Sequence, residues 1–278
     1  MIKRILVGID TSEHSRVGQA YAFALARRFH ATLIGLHVVD IVSIEGSLPH
    51  DISGMLGLEP YLDFSSKMRE VLTLRGRVVL DEFRAAAERE RIPFETVLDV
   101  GVVANQLCDR ARSADLVVIG HRGAHARFST GLLGSTAESV ARKCPRPLLV
   151  TPQVQRDIRR MALAYDGSDR ASKAMHAAAE MATEFSAPLD VITVAREHAR
   201  GEKVLAEARQ YLEPYQIPTS FQLLEGPAHE AIIKYLTAQE SDLLFIGAYG
   251  HSRIIEMVLG SNTEYVLRNA ACPVFLSR

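Results

Sequence analysis

Short runs of apolar residues alternate with longer stretches in which apolar positions recur every three or four residues, and the alternation is written twice along the chain. In the first pass ILVGI (5–9) contains no polar side chain, the mark of a strand covered on both faces. SRVGQAYAFALARRFH (15–30) has helical spacing, and TLIGLHVV (32–39) is a second strand. A helical stretch over 67–90, the strand FETVLDV (94–100), a helix over 104–111, the strand DLVVIG (115–120), a helix over 136–143 and PLLVT (147–151) complete the pass. The second pass reads MALAY (161–165), a helix over 169–185, LDVITVA (189–195), a helix near 202–212, SFQLLEG (220–226), a helix over 228–239, DLLFIG (242–247) and PVFLS (273–277). Parallel neighbours need helical crossovers, so the pattern predicts an α/β chain of two tandem doubly wound domains, each a five-stranded parallel sheet flanked by helices.

The two passes align residue by residue. ILVGIDTS (5–12) falls on MALAYDGS (161–168), matching Asp10 with Asp166 at an offset of 156, and ATLIGLHVV (31–39) falls on APLDVITVA (187–195) at the same offset. Further on, ADLVVIGHRG (114–123) matches SDLLFIGAYG (241–250) at 127, and GSTAESVARK (134–143) matches GSNTEYVLRN (260–269) at 126. The drop assigns about 29 extra residues to the first copy. They are read into 41–65, a Gly- and Pro-rich segment that is a lid, a partner surface or a connector. The expected domains are 1–152 and 157–278. PLLVT and PVFLS, as strands at sheet edges, can pair with each other and make the two halves an internal pseudo-dimer.

Composition narrows the function classes. The 278 residues are 47% hydrophobic and 23% charged, an ordinary globular balance with room for two cores. Lys+Arg 32 against Asp+Glu 33 leaves a net charge of -1, so no basic field exists to hold a nucleic-acid backbone. The N-terminal segment meets Asp10 too early for a signal peptide, and no apolar run reaches the ~18 residues a membrane span needs. Three scattered cysteines and ten histidines show no disulfide or zinc spacing. A cytoplasmic protein without membrane or nucleic-acid partners, and without a structural metal, is expected.

Chemistry concentrates in one loop. Gly247 and Gly250 close the strand DLLFIG, and nine residues later Gly260-Ser261 opens a helix, giving G-x2-G-x9-G-S. Glycines at a strand end let backbone N–H groups approach an anion, and the helix adds its positive end, so the loop suits phosphate. On these residues the whole chain resembles a tandem universal stress protein of the nucleotide-binding branch. The first copy has Gly120, Gly123 and Gly134-Ser135 with ten intervening residues (124–133), one more than that pattern.

The resemblance implies ATP binding, with Mg²⁺, at the crevice beyond the strand ends. Asp10 and Val38 in the first copy, and Asp166 and Val194 in the second, would hold the nucleoside. Ser135 and Ser261 would hydrogen-bond phosphate, with His251 and Asn262 beside the second loop. His121, Arg122, His125 and Arg127 decorate the first loop as phosphate-neutralising or solvated charges.

Plainer readings exist for the same residues. Ser135-Thr-Ala-Glu138 and Ser261-Asn-Thr-Glu264 each spell a capping box, and Asp10 and Asp166 each stand two residues before a serine, as turn or N-cap residues do. The sequence offers no Walker lysine, no carboxylate pair for Mg²⁺ and no catalytic base, so any hydrolysis is expected to be slow and no catalytic residue is assigned. The favoured reading is a stress-response regulatory protein that holds ATP without rapid turnover, as a pseudo-dimer or a homodimer. The competing one is an interaction module with relic sites. Nucleotidyl transfer chemistry would want a His-x-Gly-His or Ser-Gly-Gly loop after strand one, and IDTSEHS and YDGSDRA fit neither.

Overall fold

A computed structural model describes residues 2–41, 58–123, 133–247 and 260–277, with the side chains of 58–65 left aside. The first half runs β1 (Arg4–Gly8), α1 (Glu13–Phe29), β2 (Thr32–Asp40), α2 (Leu58–Glu90), β3 (Phe94–Gly101), α3 (Val103–Ala111), β4 (Leu116–Gly120), α4 (Ser135–Lys143) and β5 (Leu148–Thr151). The second runs β6 (Met161–Ala164), α5 (Asp169–Phe185), β7 (Leu189–Val194), α6 (His198–Leu212), a 3-10 turn (Glu213–Tyr215), β8 (Thr219–Leu224), α7 (Ala228–Ala238), β9 (Leu243–Gly247), α8 (Ser261–Asn269) and β10 (Val274–Ser277).

All ten strands join one sheet in the order β3-β2-β1-β4-β5-β10-β9-β6-β7-β8. Every neighbouring pair is parallel except β5 with β10, which run antiparallel with Val150 opposite Val274, Leu149 opposite Phe275 and Leu148 opposite Leu276. The two C-terminal strands pair as their sequences suggest. Because the halves run in opposite senses, the carboxyl ends of their strands lie at opposite margins of the sheet.

Alternation within the strands assigns the faces. Ile5, Val7, Leu33 and Leu116 share a core with the buried sides of α1, α2, α5 and α6, whereas Leu6, Ile34, Val117 and Leu148 share one with α3, α4, α7 and α8. Small polar contacts repeat with the sequence. Asp115 accepts the backbone N–H of Lys3 and Arg4 at 2.8 and 2.9 Å, and Asp242 accepts those of Arg159 and Arg160 at 2.9 and 3.0 Å. Across the seam, the Tyr21 hydroxyl accepts the N–H of Arg156 at 2.9 Å, and Phe29 meets Phe185 with ring centroids 6.4 Å apart.

Two helices begin a turn or more earlier than expected, α6 at His198 rather than near 202 and, by more, α2. α2 begins at Leu58 rather than near 67, so part of the segment read as an insertion is helix. Pro60 falls in its first turn, where the missing N–H costs no helical hydrogen bond, so its presence did not mark a loop. Residues 42–57 of that segment lie outside the described residues. No helix among the described residues is long and apolar enough to cross a membrane.

Candidate functional site

The turn after the first strand is built from short-range polar bonds, and both halves build it alike. Asp10 Oδ1 accepts the N–H of Ser12 at 2.7 Å and the Ser12 hydroxyl as well, while Ser12 Oγ accepts the N–H of Ser15 at 3.1 Å and so caps α1. In the second half Asp166 Oδ1 accepts the N–H of Ser168 at 3.0 Å, and Ser168 Oγ caps α5 through Ala171 N–H at 3.2 Å. The aspartates are therefore turn residues that present a capping serine.

A second tether holds the strand end. His37 Nδ1 lies 2.8 Å from the carbonyl of Ile9, which fixes that nitrogen as the donor. At the matching place Thr193 Oγ1 donates to the carbonyl of Tyr165 at 2.8 Å. Sequence reasoning passed over both, since a histidine and a threonine share no motif; the offset of 156 is the signal that pairs them.

Around the first turn lies a cleft of about 340 Å³ that draws together Asp10, Val38, Gly120, Gly123, Gly134 and Ser135. Every residue assigned to nucleotide in the first copy lines it. Gly123 stands so close to Asp10 that a Cβ there would sit 3.0 Å from Oδ2. A Cβ on Gly134 would meet the Arg122 Cα at 3.2 Å and the His121 carbonyl at 3.3 Å. Gly120 has another reason to be glycine, because a side chain would strike the backbone of His14 at 2.8 Å, where α1 starts against the strand end. Gly247 repeats this against Arg170 and Ala171 at 2.7–2.8 Å.

The capping-box reading of the two serines does not hold. Gly134 and Gly260 occupy the N-cap positions, so Ser135 and Ser261 are the first residues inside α4 and α8. Neither helix start has a side-chain cap, and the glutamates of the apparent boxes, Glu138 and Glu264, pair forward with Arg142 and Arg268. The N–H groups of the first turn of α4, at Ser135, Thr136 and Ala137, thus open where these residues line the cleft.

Among the lining residues not foreseen, three bring charge or a new element to the cleft. Leu72 and Arg75 come from α2, and Asp40 from the end of β2. The residue-by-residue match of the two copies was read only up to residue 39 and again from 114, so it did not reach Arg75. His121 follows β4 with its Nε2 buried and without a hydrogen-bond partner, and burial, then Arg122, then His14 push its pKa down to about 4. His14 is shifted down for the same first reason, and the two rings lie 6.0 Å apart.

In the second half, Gly250 and His251 lie outside the described residues, as do His125 and Arg127 of the first loop. Asp166, Val194, Gly247, Gly260 and Ser261 stand at the strand and helix ends that match the first cleft. Asn262 has a partner of its own: its Oδ1 lies 2.9 Å from His229 Nδ1 of α7. A wider, open groove of about 740 Å³ lies between α5 and α6, lined by His176, Glu207, Tyr211 and Tyr215. It holds none of the residues singled out above, so the first-half cleft is the candidate site. Among the described residues, no group of three or more His, Cys, Asp or Glu side chains is arranged to hold a metal.

A sequence model of the Universal stress protein family matches residues 1–152 and 196–278. A universal stress protein of Synechocystis sp. is 30% identical over 287 aligned positions, covering 100% of both chains, and one of Mycolicibacterium smegmatis is 25% identical, covering 99% of this chain and 96% of its own. A crystal structure of a universal stress protein from Archaeoglobus fulgidus shares the fold at a TM-score of 0.77 and 23% identity, covering 99% of this chain and 98% of that one.

Proposed function

The chain belongs to the universal stress protein family, and we propose that within it this protein is a stress-response regulator that holds ATP without rapid turnover. The observation that carries this reading is the gathering in one cleft of Asp10, Val38, Gly123, Gly134 and Ser135 around the bare N-terminus of α4. Its volume falls within the ~300–1,000 Å³ of small-molecule sites. Phosphates would take the N–H groups at the helix start and the Ser135 hydroxyl, where Gly123 and Gly134 leave room for backbone approach. Asp10 and Val38 would face the nucleoside. Arg75 and Arg122 add positive charge to the lining.

Mg²⁺ fits as a passenger of the nucleotide. It commonly keeps its waters and binds through one or two carboxylates plus phosphates, and Asp10 and Asp40 are the carboxylates the cleft offers. The second unit would use Asp166, Val194, Gly247, Gly250, His251, Gly260, Ser261 and Asn262 in the same way. The working units are 1–152 and 157–278, in a cytoplasmic chain. A binder of this kind signals only if a partner distinguishes its occupied form from its empty one.

The test begins with protein purified without added nucleotide, denatured, and its adenine nucleotide quantified by chromatography, with calorimetric titration of Mg-ATP alongside. The expected result is about one ATP per working cleft, lost from the first on Gly134→Val and from the second on Gly260→Val, because either side chain would fill the place a phosphate takes. Absence of both released nucleotide and binding heat at millimolar ATP overturns the reading.

A further inference from the structure

α2 buries one face and leaves an apolar stripe on the other. Gly76, Leu80, Phe83 and Ala87 turn inward, while Val71, Leu74 and Val78 stand 45%, 52% and 57% exposed at the i, i+3, i+7 spacing of a helix seam. The fold does not require it. α6, the helix at the matching place in the second half, exposes Glu202, Lys203, Arg209 and Gln210, with only the small Ala206 as an exposed apolar residue between them. Of the other large exposed apolar side chains, Val154 and Tyr265 stand singly, as on most surfaces, and Val100 and Val102 flank Gly101 at the end of β3.

We propose that this stripe is a two-fold contact with a second copy of the chain, α2 packing antiparallel on α2 with the axis near Leu74. In that register Val71 lies opposite Val78 of the partner subunit, and the two Leu74 side chains meet at the axis, so all three apolar residues are covered. The charges beside the stripe complement each other in the same register. Glu70 falls beside Arg77 of the partner subunit, and the axis makes the pair twice. Both residues are exposed in the single chain. A parallel pair would ask Glu70 to meet Arg75, which lines the cleft instead. Three apolar residues a side bury less than the ~1,000 Å² of a stable interface, so the association is weak and concentration-dependent.

Sedimentation velocity of the full chain over a wide concentration range tests this, with or without nucleotide. The expected result is a sedimentation coefficient that rises with concentration, and that stays at the monomer value for Leu74→Glu, a surface change whose folding is checked by circular dichroism. Glu70→Arg and Arg77→Glu, made singly, should each weaken association several-fold, and the two together should restore it, because the pair is then only reversed. A monomer at every concentration overturns the proposal, as does a dimer indifferent to Leu74→Glu. A double reversal that fails to restore association overturns the antiparallel register.

Discussion

The two halves share the turn after their first strand, which in the first half borders the cleft, and differ in the helix laid beside it. Asp10 and Asp166 each accept the amide of a capping serine, and His37 and Thr193 each tie strand two to the residue that follows strand one. Over this common frame the first half lays α2, 33 residues long, which brings Leu72 and Arg75 to the cleft. The second half has α6, 15 residues long, whose Glu207 accepts the Tyr165 hydroxyl at 2.6 Å. Its sheet also carries a buried charge: Asp190, 2% exposed, pairs with Arg160 at 2.7 Å and accepts the Ser220 hydroxyl at 2.6 Å, where the first half has Ile34. Backbone position is thus fixed by short polar tethers that survive changes of residue type. The helices and buried pairs around that frame are free to diverge.

The sharpest test of that divergence is Asp190→Ala, which strands Arg160 and Ser220 and should cost about 3 kcal/mol of unfolding free energy in urea titration. Asp190→Ile, the first half's solution, should cost less, and an equal loss would show that the halves pack differently around β7. Next in size, Gly120→Ala and Gly247→Ala each drive a methyl into the backbone at a helix start, and both should cost roughly 1–3 kcal/mol in the same assay. The two losses should match, since the frame is common; a loss confined to one half would break the equivalence.

A pH effect should belong to the first half alone, because Ala248 stands where His121 does. Folding holds His121 neutral with its pKa lowered to about 4, while the unfolded chain protonates near the ordinary 6.5. The folded pKa being the lower, its contribution to stability is complete above 6.5 and is lost as pH falls from there toward 4. His121→Phe should flatten the fall in thermal midpoint between about pH 7 and 5, and an unchanged slope would assign it to other groups. The smallest effect is expected of Ser135→Ala and Ser261→Ala. Each should weaken nucleotide affinity by about 1 kcal/mol, one hydrogen bond, in calorimetry. Stability should stay within ~0.5 kcal/mol, since neither serine caps its helix, whereas loss of a true cap costs ~1 kcal/mol.

Much of this was legible in the residues. Strands such as ILVGI and DLVVIG are buried on both faces and say so by their lack of polar positions. The repeat itself foretold that the last strands pair. What the sequence concealed has physical causes. Ser135 and Ser261 match a capping box, yet glycine can take the N-cap place and move the serine one step into the helix. Pro60 looked like a loop and sits in a first turn. His37 was invisible because its job is to donate one hydrogen bond, a task threonine does equally well at 193. Loop spacing favoured the second copy, but residues 248–259 lie outside the described region, so the cleft that is described is the first.

The antiparallel meeting of β5 and β10 has a consequence for behaviour on dilution. Two separate copies joined at such strands would come apart as they are diluted, because their association is governed by mass action. Here a connection of residues 152–160 holds the strands at a local concentration that the surrounding volume does not set. The hydrogen-bonding edges that would otherwise invite foreign strands are hidden from the moment the chain has folded, in a scarce protein as in an abundant one.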